Sequence, residues 1–152
     1  MESLRALQTS AFSTWVLGSD SIWSYPTILT LHTVGLALLV GAAIVMDLRL
    51  LGLGRAVPLR TVAGLYFWVW VGFGINLASG VVLFIVQAAD RAVQPVFYLK
   101  LVFIIAALAV ALRLKRYFVD DLGESTRARS MAAVSLVCWV AAIAAGRLMA
   151  YI

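Results

Sequence analysis

The chain has 152 residues, of which 64% are hydrophobic and 12% charged, and its mean hydropathy of +1.02 excludes a soluble globular domain. Twelve Lys and Arg residues against seven Asp and Glu leave a net charge of +5. That excess calls for no nucleic-acid partner, because most of it is gathered in two connections and reads as a membrane orientation signal.

The N-terminal stretch "MESLRALQTSAFSTW" lacks the basic start, short apolar core and small-residue cleavage site of a secretory signal, so it is expected to be retained. Leu4, Leu7, Ala11 and Trp15 fall at helical spacing between polar Gln8, Thr9 and Ser13. Residues 1–25 therefore predict an amphipathic helix lying in the membrane interface, with a helix packed outside the bilayer as the alternative.

Four apolar runs follow, at roughly 26–46, 62–88, 95–113 and 130–152. Each is close to the ~20 residues that cross a ~30 Å hydrocarbon core as a helix. A transmembrane barrel would show ~10-residue segments of alternating polarity, and these runs are continuously apolar and rich in Leu and Ala. The expected fold is all-α: an integral membrane four-helix bundle over residues 26–152 with the N-terminal amphipathic helix beside it.

The first run, "YPTILTLHTVGLALLVGAAIV", holds the only histidine, His32. The connection after it carries Arg49, Arg55 and Arg60, and the one between the third and fourth runs carries Arg113, Lys115, Arg116, Arg127 and Arg129. Both are expected on the cytoplasmic side, because the N-terminal segment and "QAADRAVQP" offer only Arg5 and Arg91. Both termini are then expected on the far side. Trp23, Tyr25, Phe97, Tyr98 and Tyr151 read as the outer aromatic belt, and Tyr66, Phe67, Trp68, Tyr117 and Phe118 as the inner one. Asp47 is expected to meet a basic residue of another helix, such as Arg113, and pin the inner end of the bundle. Cys138, mid-span and without a second cysteine, reads as a small packing residue. Asn76 reads as an interhelical hydrogen-bonding group, with a ligand contact as the alternative.

Depth singles out three basic residues. At 1.5 Å per residue His32 lies about 10 Å, and Lys100 and Arg147 about 8 Å, inside the outer ends of their segments. No acidic residue shares that layer. Snorkelling towards lipid phosphates accounts for Lys100 or Arg147 taken alone, and a hydroxyl partner such as Thr30 or Ser79 accounts for a neutral His32. One ligand would satisfy all three together. Haem b offers iron to an imidazole nitrogen and propionates to Lys100 and Arg147. Gly35, one turn from His32, would let a flat ring approach the backbone, whereas Gly80 and Gly146 fit helix packing better.

His32 is thus the candidate metal ligand, and His32, Gly35, Lys100 and Arg147 are the candidate cofactor-binding residues. One histidine supplies one axial ligand, so a six-coordinate iron needs a second protomer, making a homo-oligomer, or another ligand such as Met149. Scattered Met46, Met131 and Met149 do not make a copper site. No catalytic residue is assigned, because no Ser-His-Asp set, phosphate loop or paired-carboxylate site can be assembled.

At "TLHTVGLALLVGAAIVMDLRLLGL", "VFYLKLVF" and "AGRLMAYI" the sequence resembles a family of small four-helix bacterial inner-membrane proteins defined only as a domain of unknown function. The resemblance covers nearly all of residues 20–152, and its hallmarks fall on His32, Gly41, Asp47, Arg49, Lys100, Gly146 and Arg147. A fainter similarity runs to the copper-resistance D and cytochrome b561-like membrane families, whose helices carry haem-ligating histidines. The first implies a multi-pass protein of the bacterial inner membrane and the second, by analogy, a haem-related role; with the charge distribution and the basic layer, the termini are expected to be periplasmic, with haem near that face and electrons passing to a membrane or periplasmic redox partner. Many relatives carry a further histidine near the inner end of the third helix, where this chain has "RLKRYF", so no inner haem is implied. A small permease or anion-binding membrane protein, or a non-catalytic subunit of a larger membrane complex, uses the same basic layer without iron.

Overall fold

A computed structural model describes residues 2–18, 23–120, 125–149 and 151; all described elements are helices. Two short helices, α1 (Glu2–Gln8) and α2 (Ala11–Gly18), precede α3 (Tyr25–Leu51), α4 (Leu59–Ala63), α5 (Leu65–Val86), α6 (Ala88–Arg91), α7 (Pro95–Val119) and α8 (Thr126–Leu148). Among the described residues four spans are long and apolar enough to cross a bilayer: α3, α4 with α5, α7 and α8. The protein is a membrane-spanning helical bundle.

The helices outrun the apolar segments at the end of the bundle that carries the basic connections, labelled inner here and the opposite end outer, because hydropathy marks the depth of hydrocarbon whereas a helix continues until its backbone bonding is capped. α3 runs on through Asp47 and Arg49 and stops where Gly52 takes φ 105°, with Gly52 N donating to Arg49 O at 3.2 Å and Leu53 N to Leu48 O at 3.0 Å. These two bonds form a Schellman cap. Arg49 then donates to Val57 O at 2.8 Å and Arg55 O at 3.3 Å, tying down the loop it was expected to belong to. α7 continues through the basic "RLKRYF" to Val119.

α3 lies against α5 and α8, and α7 lies against α8. Close approach of α3 and α5 rests on two glycines. A Cβ on Gly35 would come within 2.7 Å of Asn76 N, and one on Gly72 would strike Leu39 N and sit 2.8 Å from Gly35 O. Backbones this near can form only where side chains are missing.

The apolar core is asymmetric along the membrane normal. Leu39, Leu50, Val69, Leu114, Phe118 and Trp139 belong to one cluster in the half nearer α4. In the outer half the buried positions within the spans are Gly35, Asn76, Ser79, Ala142 and Ala145, small or polar, with Val86 at the end of α5 as the one buried larger apolar residue. Tyr117 and Phe118 are core residues, 6% and 0% exposed, with Tyr66 edge-on to Phe118 at 5.9 Å. They do not join Phe67 and Trp68, which face outward as belt residues do. Cys138 packs in the same core.

The N-terminal segment, of which residues 19–22 lie outside the described set, breaks at Ser10, whose hydroxyl accepts from Ser13 N at 3.2 Å and so starts α2 anew. Ser13 and Val16 turn to the bundle, while Leu7 and Trp15 of the apolar stripe are exposed. Gln8 fastens α1 to α6, donating to Asp90 Oδ2 at 3.0 Å and accepting from Ala89 N at 2.9 Å.

Candidate functional site

His32 sits on α3 two turns after Pro26, half-buried against α5. Its Nδ1 is 3.0 Å from Ser79 Oγ. Ser79 in turn donates its single proton to a carbonyl of its own helix, with Ile75 O at 2.7 Å and Asn76 O at 3.2 Å. Carbonyls only accept, so the serine oxygen is left to accept from Nδ1–H, and the network assigns the Nδ1-protonated tautomer. Thr30, the other hydroxyl near in sequence, is turned back to Pro26 O. Asn76 donates to His32 O at 2.9 Å, an interhelical bond that joins the same turn of α3 to α5. Gly80 leaves room for the ring, since a Cβ there would be 3.2 Å from His32 Cε1. The imidazole is thus gripped on its Nδ1 edge, and Nε2 is the nitrogen that carries the lone pair.

Lys100 comes to the same layer from α7. Its stem lies along Gly146, where a Cβ would meet Lys100 Cε at 3.5 Å and Nζ at 3.6 Å. Its ammonium is within electrostatic reach of His32 and of Arg91, and it has no hydrogen-bond or ion-pair partner among the described residues. Arg147, the next residue after Gly146, is exposed and makes no hydrogen bond among the described residues. The space in front of Gly35 is filled by the backbone of α5, so this glycine serves the helix crossing. Of the four residues expected to share a ligand, His32 and Lys100 are brought together.

Arg91, in the sequence no more than a charge of an outer connection, has a structural role. It donates to Gln87 Oε1 at 2.8 Å, Gln94 Oε1 at 3.0 Å and Met149 O at 2.6 Å, latching α6 to the end of α8 beside Lys100. Its spacing to Gln87 and Gln94, four and three residues away, was the available signal. Among the described residues no group of three or more His, Cys, Asp or Glu could hold a metal ion. Iron at His32 would therefore have to bring its own equatorial ligands, as a porphyrin does.

A second polar group lies in the inner half. Asp47 is 3% exposed and does not pair with Arg113, which points to the surface. Helix rotation explains this: Asp47 faces α8, where the Ser135 hydroxyl meets the carboxyl without hydrogen-bond geometry. Asp47 Oδ2, Ser135 Oγ and Trp139 Nε1 are all buried without a hydrogen-bond partner among the described residues.

No protein-family model, curated protein or solved structure matches the chain.

Proposed function

We propose that this membrane protein binds haem b near its outer face, with His32 Nε2 as axial ligand, and exchanges electrons there with a membrane or periplasmic partner. The observation that supports this most is the Ser79 relay. A ligating histidine ordinarily donates its other ring N–H to a fixed acceptor, which sets the tautomer and orients the ring. Ser79 fills that role, Gly80 gives the ring its place, and Lys100 is the cation for a propionate at interfacial depth. When bound, the group supplies one-electron chemistry at iron.

With one histidine per chain, a second protein ligand to iron would have to come from another copy or from a residue such as Met149, and the reading includes a homo-oligomer. It also includes the bacterial inner membrane as the location and the kinship with small inner-membrane families that the sequence motifs imply. Eight of the twelve Lys and Arg residues lie at the inner ends, which supports periplasmic termini.

Absorbance of the purified full-length protein, expressed with ample haem, tests the reading. A Soret band that sharpens and shifts on reduction is expected. His32→Ala should lose most of the haem while still inserting, because the spans that drive insertion are untouched; Lys100→Gln should lose less, since water can replace one propionate partner. Absence of a Soret band, or full haem content in His32→Ala, would overturn it.

Three basic groups, Lys100, Arg91 and His32, none of them ion-paired among the described residues, favour a second reading in which the same layer holds an anion without iron. In a small permease or an accessory subunit of that kind, the wild type shows no Soret band and Lys100→Gln abolishes anion binding.

A further inference from the structure

At the opposite end of the bundle, a groove of about 410 Å³ runs between α7 and α8, lined by Val110, Arg113 and Arg116 from one helix and Arg127, Ser130, Met131 and Val134 from the other. Its size falls within the ~300–1,000 Å³ of small-molecule sites. The composition is ordered by depth. α7 runs inward, so Val110 lies deeper than Arg113 and Arg116; α8 runs outward, so Met131 and Val134 lie deeper than Arg127. The groove is basic at its aqueous mouth and apolar towards the bilayer centre.

None of the three guanidiniums has an ion-pair partner among the described residues. Arg116 rests over the Tyr117 ring at 5.4 Å, which holds its stem without neutralising its charge. Arg127 stands in the first turn of α8, whose N-terminal N–H groups add positive potential at the same mouth; Ser125 caps one of them, Ala128 N, at 3.1 Å. The Ser130 hydroxyl is turned to Thr126 O and Arg127 O, both at 3.1 Å, so the polar recognition falls to the arginines.

We propose that this groove is a binding site for one anionic glycerophospholipid of the adjoining leaflet, its phosphate held by Arg113, Arg116 and Arg127 and the start of an acyl chain laid along Val110, Met131 and Val134. Guanidiniums grip phosphate bidentately, and basic recesses between transmembrane helices suit lipid headgroups. The apolar floor selects an amphiphile over a free phosphate ion. Lys115 and Arg60 serve as controls, because they carry charge at the same end and do not line the groove.

Native mass spectrometry of the full-length protein in neutral detergent, titrated with phosphatidylglycerol or phosphatidylcholine, tests this independently of the haem reading. One tightly held phosphatidylglycerol is expected, with phosphatidylcholine much weaker. Arg113→Gln with Arg127→Gln should weaken it about 30-fold, while Lys115→Gln with Arg60→Gln, the same charge change, should leave it unaltered. Val110→Trp keeps every charge and fills the apolar floor, and should also expel the lipid. The proposal is overturned if the two double variants lose affinity equally, if phosphatidylcholine binds as well, or if millimolar inorganic phosphate displaces the lipid.

Discussion

Two glycines two positions apart on α5 show how much a single side chain can matter in a bundle surrounded by lipid. Gly72→Ala drives a Cβ into the backbone of α3, and neither atom belongs to a flexible side chain that could yield. Overpacking of that kind costs roughly 1–3 kcal/mol. Gly74 has nothing within 4 Å of where a Cβ would stand, so Gly74→Ala should be neutral or slightly stabilising. Thermal melting of the two purified variants checks the contrast, and equal melting temperatures would mean that α3 and α5 are not in backbone contact. Asp47 invites a test of the other sign. A buried acid without a partner at Oδ2 costs stability, and Asp47→Asn keeps the shape while removing any charge. The variant should melt higher than wild type; a lower melting temperature would mean that a partner outside this chain holds the carboxyl.

Among the elements, the ends of helices carry the specific chemistry. Gly52 ends α3 at φ 105°, a conformation that costs an L-residue roughly 1–2 kcal/mol. Gly52→Ala should therefore lower stability by about that amount, measured by denaturant or thermal unfolding. It should also loosen the Arg49 contacts to Val57 and Arg55, seen as faster proteolysis of the loop between α3 and α4. At the other face Arg91 joins α6 to the close of α8 through Met149 O. Charge-assisted bonds of this kind are worth roughly 1.5–3 kcal/mol each when partly buried. Arg91→Ala is expected to destabilise the outer end and make hydrogen exchange of residues 145–149 faster, with α4 and the inner core unaffected.

For the molecule as a whole, the split between a packed apolar half and a polar, small-residue half gives each face of the bilayer a different role. The inner half, with Trp139 and Phe118 fully buried, holds the bundle together, and the outer half brings His32, Ser79, Asn76 and Lys100 to one level. Orientation can be read with single cysteines in a Cys138→Ala background. Leu53→Cys and Lys115→Cys should be shielded from a membrane-impermeant maleimide applied to intact cells, and Val93→Cys should react. The reverse pattern would turn the basic ends outward.

Membrane character and the number of spans were legible in the sequence, because hydropathy summed along the chain is measured against the fixed thickness of a bilayer. His32 and Lys100 could be placed in one layer by counting residues. What counting could not supply is the direction each side chain takes around its helix. In a soluble bundle an apolar stripe marks that direction, but in lipid both the core face and the outer face are apolar, and residues such as Val102, Ile105 and Val137 are exposed as freely as Leu39 and Val69 are buried. Tertiary structure therefore decided that Lys100 lies along Gly146 while Arg147 is exposed, that Gly35 receives the backbone of α5, that Tyr117 and Phe118 enter the core, and that Asp47 faces Ser135 rather than Arg113. Each of these was settled by where two backbones approach closely and where a polar group finds another, which are contacts between distant parts of the chain and leave no period in the sequence.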